Sequence, residues 1–317
     1  MTRTDPIELL TMHVSCCIAR RGAAFFVRPY ANTPFRKGRL NMCRLMLLGP
    51  GEWMGVLMVI CFWLSLGASA RSEAVQPQQN AHAHNDYLHA HPLHDALDHG
   101  FCSVEADVYV VGGDLLVAHD WVGLQPGKTL RNLYLAPLYR RIQRNSGHVY
   151  KQPAQFTLLI DFKSNAAKTY PVLAAQLAEY KSMLVRYVDG RRVDGPVEII
   201  ISGNRPTQIV QNQRTRFVSI DGRLANLEDP PNDWMPLVSD NWTKFFAWRG
   251  EGPISQEERR KLREYVRRAH KFDRRIRFWK TPDTVTAWQE LADANVDLIN
   301  TDNLTGLSDY LKHRHSK

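Results

Sequence analysis

The chain has 317 residues, of which 44% are hydrophobic and 23% are charged. This composition is typical of a globular protein with a sizeable core, and it excludes a disordered chain, a collagen-like rod and a small disulfide scaffold. The formal net charge is +9, but residues 1–70 alone hold eight Lys and Arg against three Asp and Glu, so the charge is weak evidence for a nucleic-acid partner and we expect none.

The first predicted element is an uncharged apolar run from Met54 to Leu66, followed by the small residues of Gly67-Ala68-Ser69-Ala70. The run has the length of a signal-peptide core, and alanines at 68 and 70 match the A-x-A cleavage rule. We therefore predict a signal peptide over 42–70, cleaved near Ala70, and export to the periplasm or the exterior. Because a signal peptide starts near the initiator, 1–41 is predicted to be a non-native or unstructured extension. A membrane anchor is the alternative.

Removal of the leader leaves residues 71–317, a length typical of one (β/α)₈ barrel. Short apolar runs rich in β-branched residues alternate with helical patterns, which favours a parallel sheet with right-handed crossovers. We therefore predict an α/β fold, a single TIM-type (β/α)₈ barrel. The eight predicted strands are 81–84, 103–110, 115–118, 156–161, 197–201, 217–220, 276–279 and 296–300. The clearest predicted helices are 168–188, 256–272 and 284–294, and 224–242 is predicted to be a long irregular loop.

Three carboxylates lie where a barrel places its functional groups. Glu105 and Asp107 are two residues apart in the second predicted strand, so they point to the same face. Buried like charges are costly unless a cation or a proton compensates them. Asp161 ends the fourth predicted strand and can converge on the same point, and three oxygen ligands favour Mg²⁺ or Ca²⁺ over zinc. The alternative is an exposed edge strand with solvated acids.

Two histidines are placed to act as an acid and a base. His84 ends the first predicted strand and His119 follows the third, at the end of the barrel where catalytic residues lie. Next to a cation, such a pair suits phosphodiester cleavage, since one takes a proton from the nucleophile and the other protonates the leaving oxygen. Lys163 would neutralise the phosphate. His82 lies on the same strand face as His84, so either is a candidate.

Four further histidines lie after the first strand, at His89, His91, His94 and His99. We interpret them as the polar surface of a short helix. The alternative is a transition-metal site, although their spacing matches no standard zinc pattern. Cys102 is the one cysteine after residue 70, so the mature chain has no internal disulfide.

Substrate contacts are expected from Asn85, Asn204 and Trp279, which follow or end predicted strands. Trp279 is equally suited to core packing. The segment from Arg259 to Lys280 holds eleven Lys and Arg against two acids. We favour an outer barrel helix with a solvated basic face, and the alternative is contact with an anionic membrane surface.

Taken in order, these motifs resemble the phospholipase C-like phosphodiesterase superfamily. Its glycerophosphodiester phosphodiesterase branch has a histidine motif at strand one, E-x-D at strand two and H-D after strand three. The H-N-D-Y opening is closer still to the branch named for altered inheritance of mitochondria protein 6. The ordered set covers most of 81–303 and is specific. The matching segments are HND, PLHDALDHGF, SVEADV, LLVAHD, LLIDFKS, ISGNRP, VSIDGR, RFWKTPD and INTDNL.

This resemblance implies a TIM-type barrel of the phospholipase C-like type that cleaves phosphodiesters with one divalent cation. The implied roles are metal binding by Glu105, Asp107 and Asp161, acid/base catalysis by His84 and His119, and phosphate contact by Lys163. His84 is preferred over His82 because it directly precedes Asn85-Asp86. The H-R-G arginine of glycerophosphodiesterases is replaced by Asn85, so a glycerol substrate is not implied.

We therefore expect a metal-dependent phosphodiester hydrolase with a small-molecule or lipid phosphodiester substrate, acting on glycerophosphodiesters or phospholipid headgroups. The alternative is a non-catalytic barrel that binds a metal or a phosphorylated ligand through the same acids. The complete set of histidines, acids and lysine favours the enzyme.

Overall fold

Strands and helices alternate along residues 74–315, the part of the chain that the computed structural model describes. The strands are β1 Gln78–Ala83, β2 Phe101–Val111, β3 Asp114–Val117, β4 Phe156–Phe162, β5 Arg186–Val188, β6 Arg191–Val193, β7 Val197–Gly203, β8 Thr215–Arg216, β9 Val218–Gly222, β10 Leu237–Asn241, β11 Arg275–Trp279 and β12 Ile299–Thr301. The α-helices are α1 His94–Asp98, α2 Ala136–Arg144, α3 Ala166–Glu179, α4 Thr207–Gln211, α5 Trp242–Phe245, α6 Gln256–His270, α7 Val285–Asp293 and α8 Leu304–His315. Short 3-10 helices lie at Asp86–Leu88, Lys181–Met183 and Leu224–Asn226, and a π-helical segment at Arg131–Leu135. The predicted leader and extension fall outside the described residues.

Eight of the strands form a parallel barrel, in the order β11-β10-β9-β7-β4-β2-β1-β12. A bridge between Arg277 in β11 and Leu298 just before β12 brings the two edges together, so the barrel is nearly closed. Helices lie between most of the strands, as parallel pairing requires crossover connections. The predicted TIM-type fold is confirmed.

The barrel interior is built in layers, because every second residue of a strand points inward. Leu159, Ile200, Leu237 and Leu298 are buried against one another in one such layer. Two residues further along β4, β7 and β10, the same face carries Asp161, Ser202 and Ser239. The apolar layer is therefore followed by a polar layer at the carboxyl ends of the strands.

Helix α6 shows how the outer layer forms. Ser255 caps its first turn by accepting a hydrogen bond from the main-chain nitrogen of Glu258, which satisfies an otherwise free donor. Leu262, Val266 and Ala269 are spaced at helical intervals and are buried. The helix therefore packs one apolar face inward, and the predicted helix 256–272 is observed two residues shorter. Helix α7 lies within the predicted 284–294.

Two strand assignments were wrong. The predicted strand 115–118 is observed as β3, but it pairs antiparallel with β2 as a hairpin and is not a barrel strand. The connection between them is Gly112-Gly113, both with positive φ, and two residues cannot make a parallel crossover. The missing barrel strand is β10, Leu237–Asn241, which lies inside the segment predicted to be a loop. The second half of this strand is polar, so the strand does not form the apolar run from which a barrel strand is predicted.

The predicted helix 168–188 was also too long. Helix α3 ends at Glu179, and the chain continues through a 3-10 turn into β5. Leu184 and Val185 are buried, and both contact Val197 through backbone pairing, which draws this segment out of the helix. Strands β5, β6 and β8 then form a small antiparallel sheet beside the barrel. Within residues 74–315, no helix is both long and apolar enough to cross a lipid bilayer.

Candidate active site

The three predicted carboxylates meet at the carboxyl end of the barrel. Strands β2 and β4 are paired so that Asp107 lies directly opposite Asp161, and Glu105 lies two residues earlier on the same face of β2. One oxygen from each side chain lies within 4.8 Å of the others. Glu105 and Asp107 are buried, whereas Asp161 is partly exposed. Among the residues the structure describes, this is the one group of His, Cys, Asp and Glu side chains arranged to hold a metal ion.

Two cations face these three acids. Lys163 Nζ lies 3.0 Å from Asp107 Oδ2 and 3.0 Å from Asp161 Oδ1. Arg277 Nη1 lies 2.6 Å from Glu105 Oε2. Burial raises the pKa of Glu105, but the Arg277 guanidinium together with the nearby His82 and His84 outweighs it, so that pKa lies well below its usual range. The cluster keeps an excess of negative charge.

Asp107 is the carboxylate of the cluster that is least well compensated. Its Oδ1 is buried and has no hydrogen-bond partner among the described residues. Burial, followed by the charge of Glu105, raises the pKa of Asp107 to about 6. An unpartnered carboxylate oxygen is costly in a protein interior unless a cation or proton meets it. The donor set is all oxygen, so the residues present fit Mg²⁺ or Ca²⁺.

Arg277 also contacts His82 and helps to keep this histidine uncharged. It donates a hydrogen bond of 2.6 Å from Nη1 to His82 Nε2, while His82 Nδ1 lies 2.7 Å from Ser103 Oγ. Burial and then the positive charge of Arg277 lower the pKa of His82 to about 4. His82 is therefore neutral, wholly buried and engaged through both nitrogens, which favours the preference for His84.

His84 lies at the rim. Its Nδ1 is 2.9 Å from Asp302 Oδ1, which assigns the Nδ1 proton to that contact and leaves Nε2 free of protein partners. Burial lowers the pKa of His84, but the hydrogen bond to Asp302 and the charge of Glu105 outweigh it, so the pKa is raised. Asn85, the next residue, has φ 47°, a left-handed conformation that asparagine tolerates.

His119 contacts the acids both directly, with Nδ1 3.3 Å from Asp107 Oδ2, and through Tyr87. The Tyr87 hydroxyl lies 2.6 Å from Asp107 Oδ2, 2.8 Å from Asn85 Oδ1 and 3.1 Å from His119 Nδ1. Since the hydroxyl donates its proton to an oxygen, it accepts from His119 Nδ1–H, which leaves His119 Nε2 as the free ring nitrogen. Tyr87 was missed as a site residue, although it is the fourth residue of the H-N-D-Y opening.

Asp86 of the same opening is structural. It is fully buried, and its Oδ2 accepts hydrogen bonds from the main-chain nitrogen of Leu93 and from the Tyr134 hydroxyl. Burial raises the pKa of Asp86 to about 6. These contacts fix the turn that carries Asn85 and Tyr87.

The remaining predicted substrate residues lie at the same end of the barrel. Asn204 follows β7, and its amide donates to the carbonyls of Lys163 and Ser164, so it ties two rim loops together. Trp279 ends β11 and is partly exposed, with Arg223 Cζ 5.1 Å from its ring centre. Gly203 has φ +66°, and any side chain there would collide with the Asp161 carboxylate.

The other two sequence features have structural explanations. The histidines at His89, His91, His94 and His99 do not converge on a metal-binding arrangement within residues 74–315. His91 instead contacts Asp95, and His99 contacts Thr305. In the basic segment from Arg259 to Lys280, five arginines pair with carboxylates: Arg259, Arg267, Arg268, Arg275 and Arg277. The segment is therefore not a uniform cationic surface.

Arg277 was also missed as a site residue. It lies two residues before Trp279 on the same face of β11. Because alternate residues of a strand share a face, this spacing could have indicated that Arg277 points into the barrel. A charged residue within an apolar run points either to a strand edge or to a buried partner, and here the partner is Glu105.

A TIM barrel with acids, lysine and histidines converging at the carboxyl ends of its strands defines the class of phosphodiesterase-like barrels. Residues 70–221 match the family model described as AIM6-like phosphodiesterase domain. Altered inheritance of mitochondria protein 6 of Eremothecium gossypii is 32% identical over 292 residues, which cover 76% of this chain and 75% of that protein. The homolog of Arthroderma benhamiae is 26% identical and covers 72% of this chain and 82% of its own. The chain belongs to the altered inheritance of mitochondria protein 6 family.

Solved structures with a similar fold include two enzymes. A glycerophosphodiester phosphodiesterase from Parabacteroides distasonis aligns with a TM-score of 0.46 and 13% identity, covering 76% of this chain and 99% of its own. A calcium-dependent phosphoinositol-specific phospholipase C from Pseudomonas aligns with a TM-score of 0.47 and 13% identity, covering 74% and 93%.

Proposed function

We propose that this chain hydrolyses phosphodiesters by histidine acid/base catalysis with one divalent cation, on glycerophosphodiesters or phospholipid headgroups. The observation that carries the proposal is the state of the two rim histidines. His84 and His119 come from different loops, and each is held through Nδ1 with Nε2 free. Two free ring nitrogens beside one acid cluster match the needs of diester cleavage.

The roles follow from the surroundings of each ring. His84 has a raised pKa and hydrogen bonds to Asp302, so it suits protonation of the leaving oxygen. His119 is oriented through Tyr87 and suits removal of the proton from the attacking hydroxyl. Whether that hydroxyl belongs to water or to the substrate decides between a hydrolysed and a cyclic product.

Glu105, Asp107 and Asp161 are the residues that would hold the cation, which supplies positive charge to a phosphate oxygen when bound. Lys163, bridged between two of these acids, would contact the phosphate as the second positive charge. Asn85, Asn204 and Trp279 are proposed to contact the rest of the substrate. Trp279 offers a partly exposed ring for stacking.

A lipid substrate is favoured by the apolar rim. Leu88 is 66% exposed, Trp121 63% and Val122 92%. Leu88 lies on the loop of His84, and Trp121 and Val122 lie on the loop of His119. Large exposed apolar side chains beside the proposed site suit contact with acyl chains or an interface. We propose membrane contact at this rim in preference to the segment from Arg259 to Lys280, in which five of the eleven Lys and Arg pair with carboxylates.

The test is hydrolysis of a panel of glycerophosphodiesters and phospholipids by the full chain, with product identification and with Mg²⁺, Ca²⁺ or EDTA. Metal-dependent turnover that is lost in His84→Ala and His119→Ala supports the proposal. His94→Ala, an exposed histidine of α1, is the matched control and should keep full activity. Cleavage that survives both histidine substitutions refutes the assignment. Metal binding without cleavage of any diester favours the non-catalytic barrel.

Export through the leader at 42–70 is part of the same proposal. A cleaved leader predicts that the native protein starts near residue 71. N-terminal sequencing of protein isolated from its native source checks this, and peptides that begin at Met1 would contradict it.

A further inference from the structure

Two arginines on loops that neighbour the acid cluster at the carboxyl end of the barrel are not used by the proposed reaction. Arg205 follows β7 and Arg223 follows β9. Arg205 Nη1 donates a hydrogen bond of 2.5 Å to the carbonyl oxygen of Asp221, and Arg223 Nη1 lies 3.5 Å from the same oxygen. The two guanidinium groups are therefore neighbours on one main-chain atom.

Their positive charge is only partly compensated. Arg223 pairs with Asp221 at 2.9 Å, but that carboxylate is buried and also accepts hydrogen bonds from Ser202 and Ser239. Within residues 74–315, Arg205 pairs with no carboxylate, and the bond to Asp221 is its one hydrogen bond. Burial, and then repulsion from Arg223, lower the pKa of Arg205. A guanidinium has five donors, so most of those on Arg205 stay open.

Two further carboxylates lie near this pair, and both attract Arg205 without pairing with it. Asp240 attracts Arg205, but its two oxygens accept from the main-chain nitrogens of Leu224 and Asn241. Asp161 also attracts Arg205, and its Oδ1 is already in contact with Lys163. Neither carboxylate forms an ion pair with Arg205, although both add negative charge beside it.

The pair lies beside an aromatic surface. Arg223 Cζ is 5.1 Å from the ring centre of Trp279, a distance typical of a cation–π contact, and its side chain is 24% exposed. The acid cluster thus lies on β2 and β4, and the two arginines lie on the loops that follow β7 and β9. A phosphodiester carries one negative charge, which the cation and Lys163 already neutralise in the proposed function. Two further guanidiniums have a use if the substrate brings a second anionic group.

We propose that Arg205 and Arg223, with Trp279 beside them, form a subsite for a second anionic group of the substrate, a phosphate monoester or a carboxylate. The substrate class is then a phosphodiester whose headgroup carries an additional negative charge. Guanidinium groups suit this task because they bind phosphate and carboxylate oxygens in a bidentate geometry. Placement of the diester itself at the acid cluster rests on the proposed function, whereas anion binding at the arginine pair does not.

Anion binding is tested first, without catalysis. The full chain is titrated with inorganic phosphate, and separately with acetate, by calorimetry at low ionic strength in EDTA. Arg205→Gln should weaken phosphate binding about tenfold, because it removes charge-assisted hydrogen bonds to the anion. Arg140→Gln, which replaces an exposed arginine of α2, should leave it unchanged. If Arg205→Gln lowers the affinity for phosphate more than the affinity for acetate, the phosphate monoester is the preferred group.

Arg223→Gln is the second variant, with thermal unfolding as its folding check because Arg223 also pairs with buried Asp221. Absence of phosphate binding in the wild-type chain overturns the proposal. So does phosphate binding that is lost in Lys163→Gln and kept in Arg205→Gln, since the anion would then lie at the acid cluster.

A kinetic comparison separates the subsite from the proposed function. A diester whose headgroup carries an extra phosphate is compared with one whose headgroup has none. Arg205→Gln should raise KM for the first about tenfold and leave KM for the second unchanged. Equal KM effects on both overturn the subsite while the proposed function stands. If neither is cleaved, the proposed function fails and the phosphate titration alone decides the subsite.

Discussion

The hydroxyl of Tyr87 donates a hydrogen bond of 2.6 Å to Oδ2 of Asp107, the buried acid at the centre of the site. The same hydroxyl lies 3.1 Å from Nδ1 of His119. One side chain therefore orients both a proposed metal ligand and a proposed catalytic base. Because Tyr87 acts through these two residues, we assign it a positioning role.

Replacement of Tyr87 by Phe should lower kcat roughly tenfold, because His119 Nδ1 loses the hydroxyl and keeps only the longer 3.3 Å contact with Asp107 Oδ2. KM should change little, and the activity–pH profile should shift on the side that depends on the proposed base, His119. The matched control is Tyr109→Phe, since the Tyr109 hydroxyl makes a weak 3.4 Å contact to the main-chain oxygen of His119. A Tyr87→Phe enzyme with wild-type kcat and pH profile would contradict this role.

Divalent cations should stabilise the protein through Asp107. Millimolar Mg²⁺ or Ca²⁺ should raise the Tm of the wild-type chain by several degrees, because a ligand that binds only the folded state stabilises it. Asp107→Asn should abolish that rise, since it removes the charge of the unpartnered buried oxygen. Asp98→Asn, an exposed acid of α1, should respond like wild type. An equal rise in Asp107→Asn would place the cation elsewhere.

Loss of the Arg277 side chain should be strongly destabilising. Arg277→Met leaves the buried Glu105 carboxylate without its cation, and breaking a buried pair in this way costs about 3–5 kcal/mol. Glu105→Gln combined with Arg277→Met should recover most of this loss, because no buried charge is left uncompensated. Urea unfolding measures both. Arg267→Met, which breaks an exposed pair with Glu264, should change little. A destabilised double variant would show that Arg277 acts through packing.

Asp86 should make stability fall between about pH 4 and pH 6. Burial raises its pKa to about 6 in the folded protein, so the folded state binds the proton more tightly than the unfolded state. The free energy of unfolding therefore decreases as pH rises through this window, by roughly 3 kcal/mol for this one group.

Asp86→Asn carries no titrating carboxyl and should lose that slope. The two unfolding curves, measured from pH 4 to pH 7, should diverge in favour of Asp86→Asn as pH rises. Parallel curves would show that Asp86 has an ordinary pKa in the folded state. Asp98→Asn again serves as the exposed control.

The local sequence pattern predicted those parts of the fold and site that depend on the alternation of inward and outward residues along a strand. Glu105, Asp107 and Asp161 were found because alternate residues of a buried strand share a face, and the eight-strand total was right. Strand β10 was missed because five residues with a polar second half carry no periodic signal by themselves. Its partners β9 and β11 supply the hydrogen bonds, and their position is not visible locally.

Contacts between distant elements account for the other omissions. Arg277 meets Glu105 across 172 positions of sequence, and Tyr87 meets His119 across 32. Arg205 and Arg223 come together on the carbonyl oxygen of Asp221. In each case the sequence shows the residue type, but the identity of its partner depends on which strands the barrel brings together.

The most direct test of a metal-dependent diesterase is the initial rate of bis(p-nitrophenyl) phosphate hydrolysis by the full chain, with Mg²⁺, with Ca²⁺ and with EDTA. Wild type, His119→Ala and the control His94→Ala are measured side by side. We expect cleavage that requires a divalent cation, is lost in His119→Ala and is kept in His94→Ala. Equal rates with EDTA, or equal rates in His119→Ala and wild type, would contradict it.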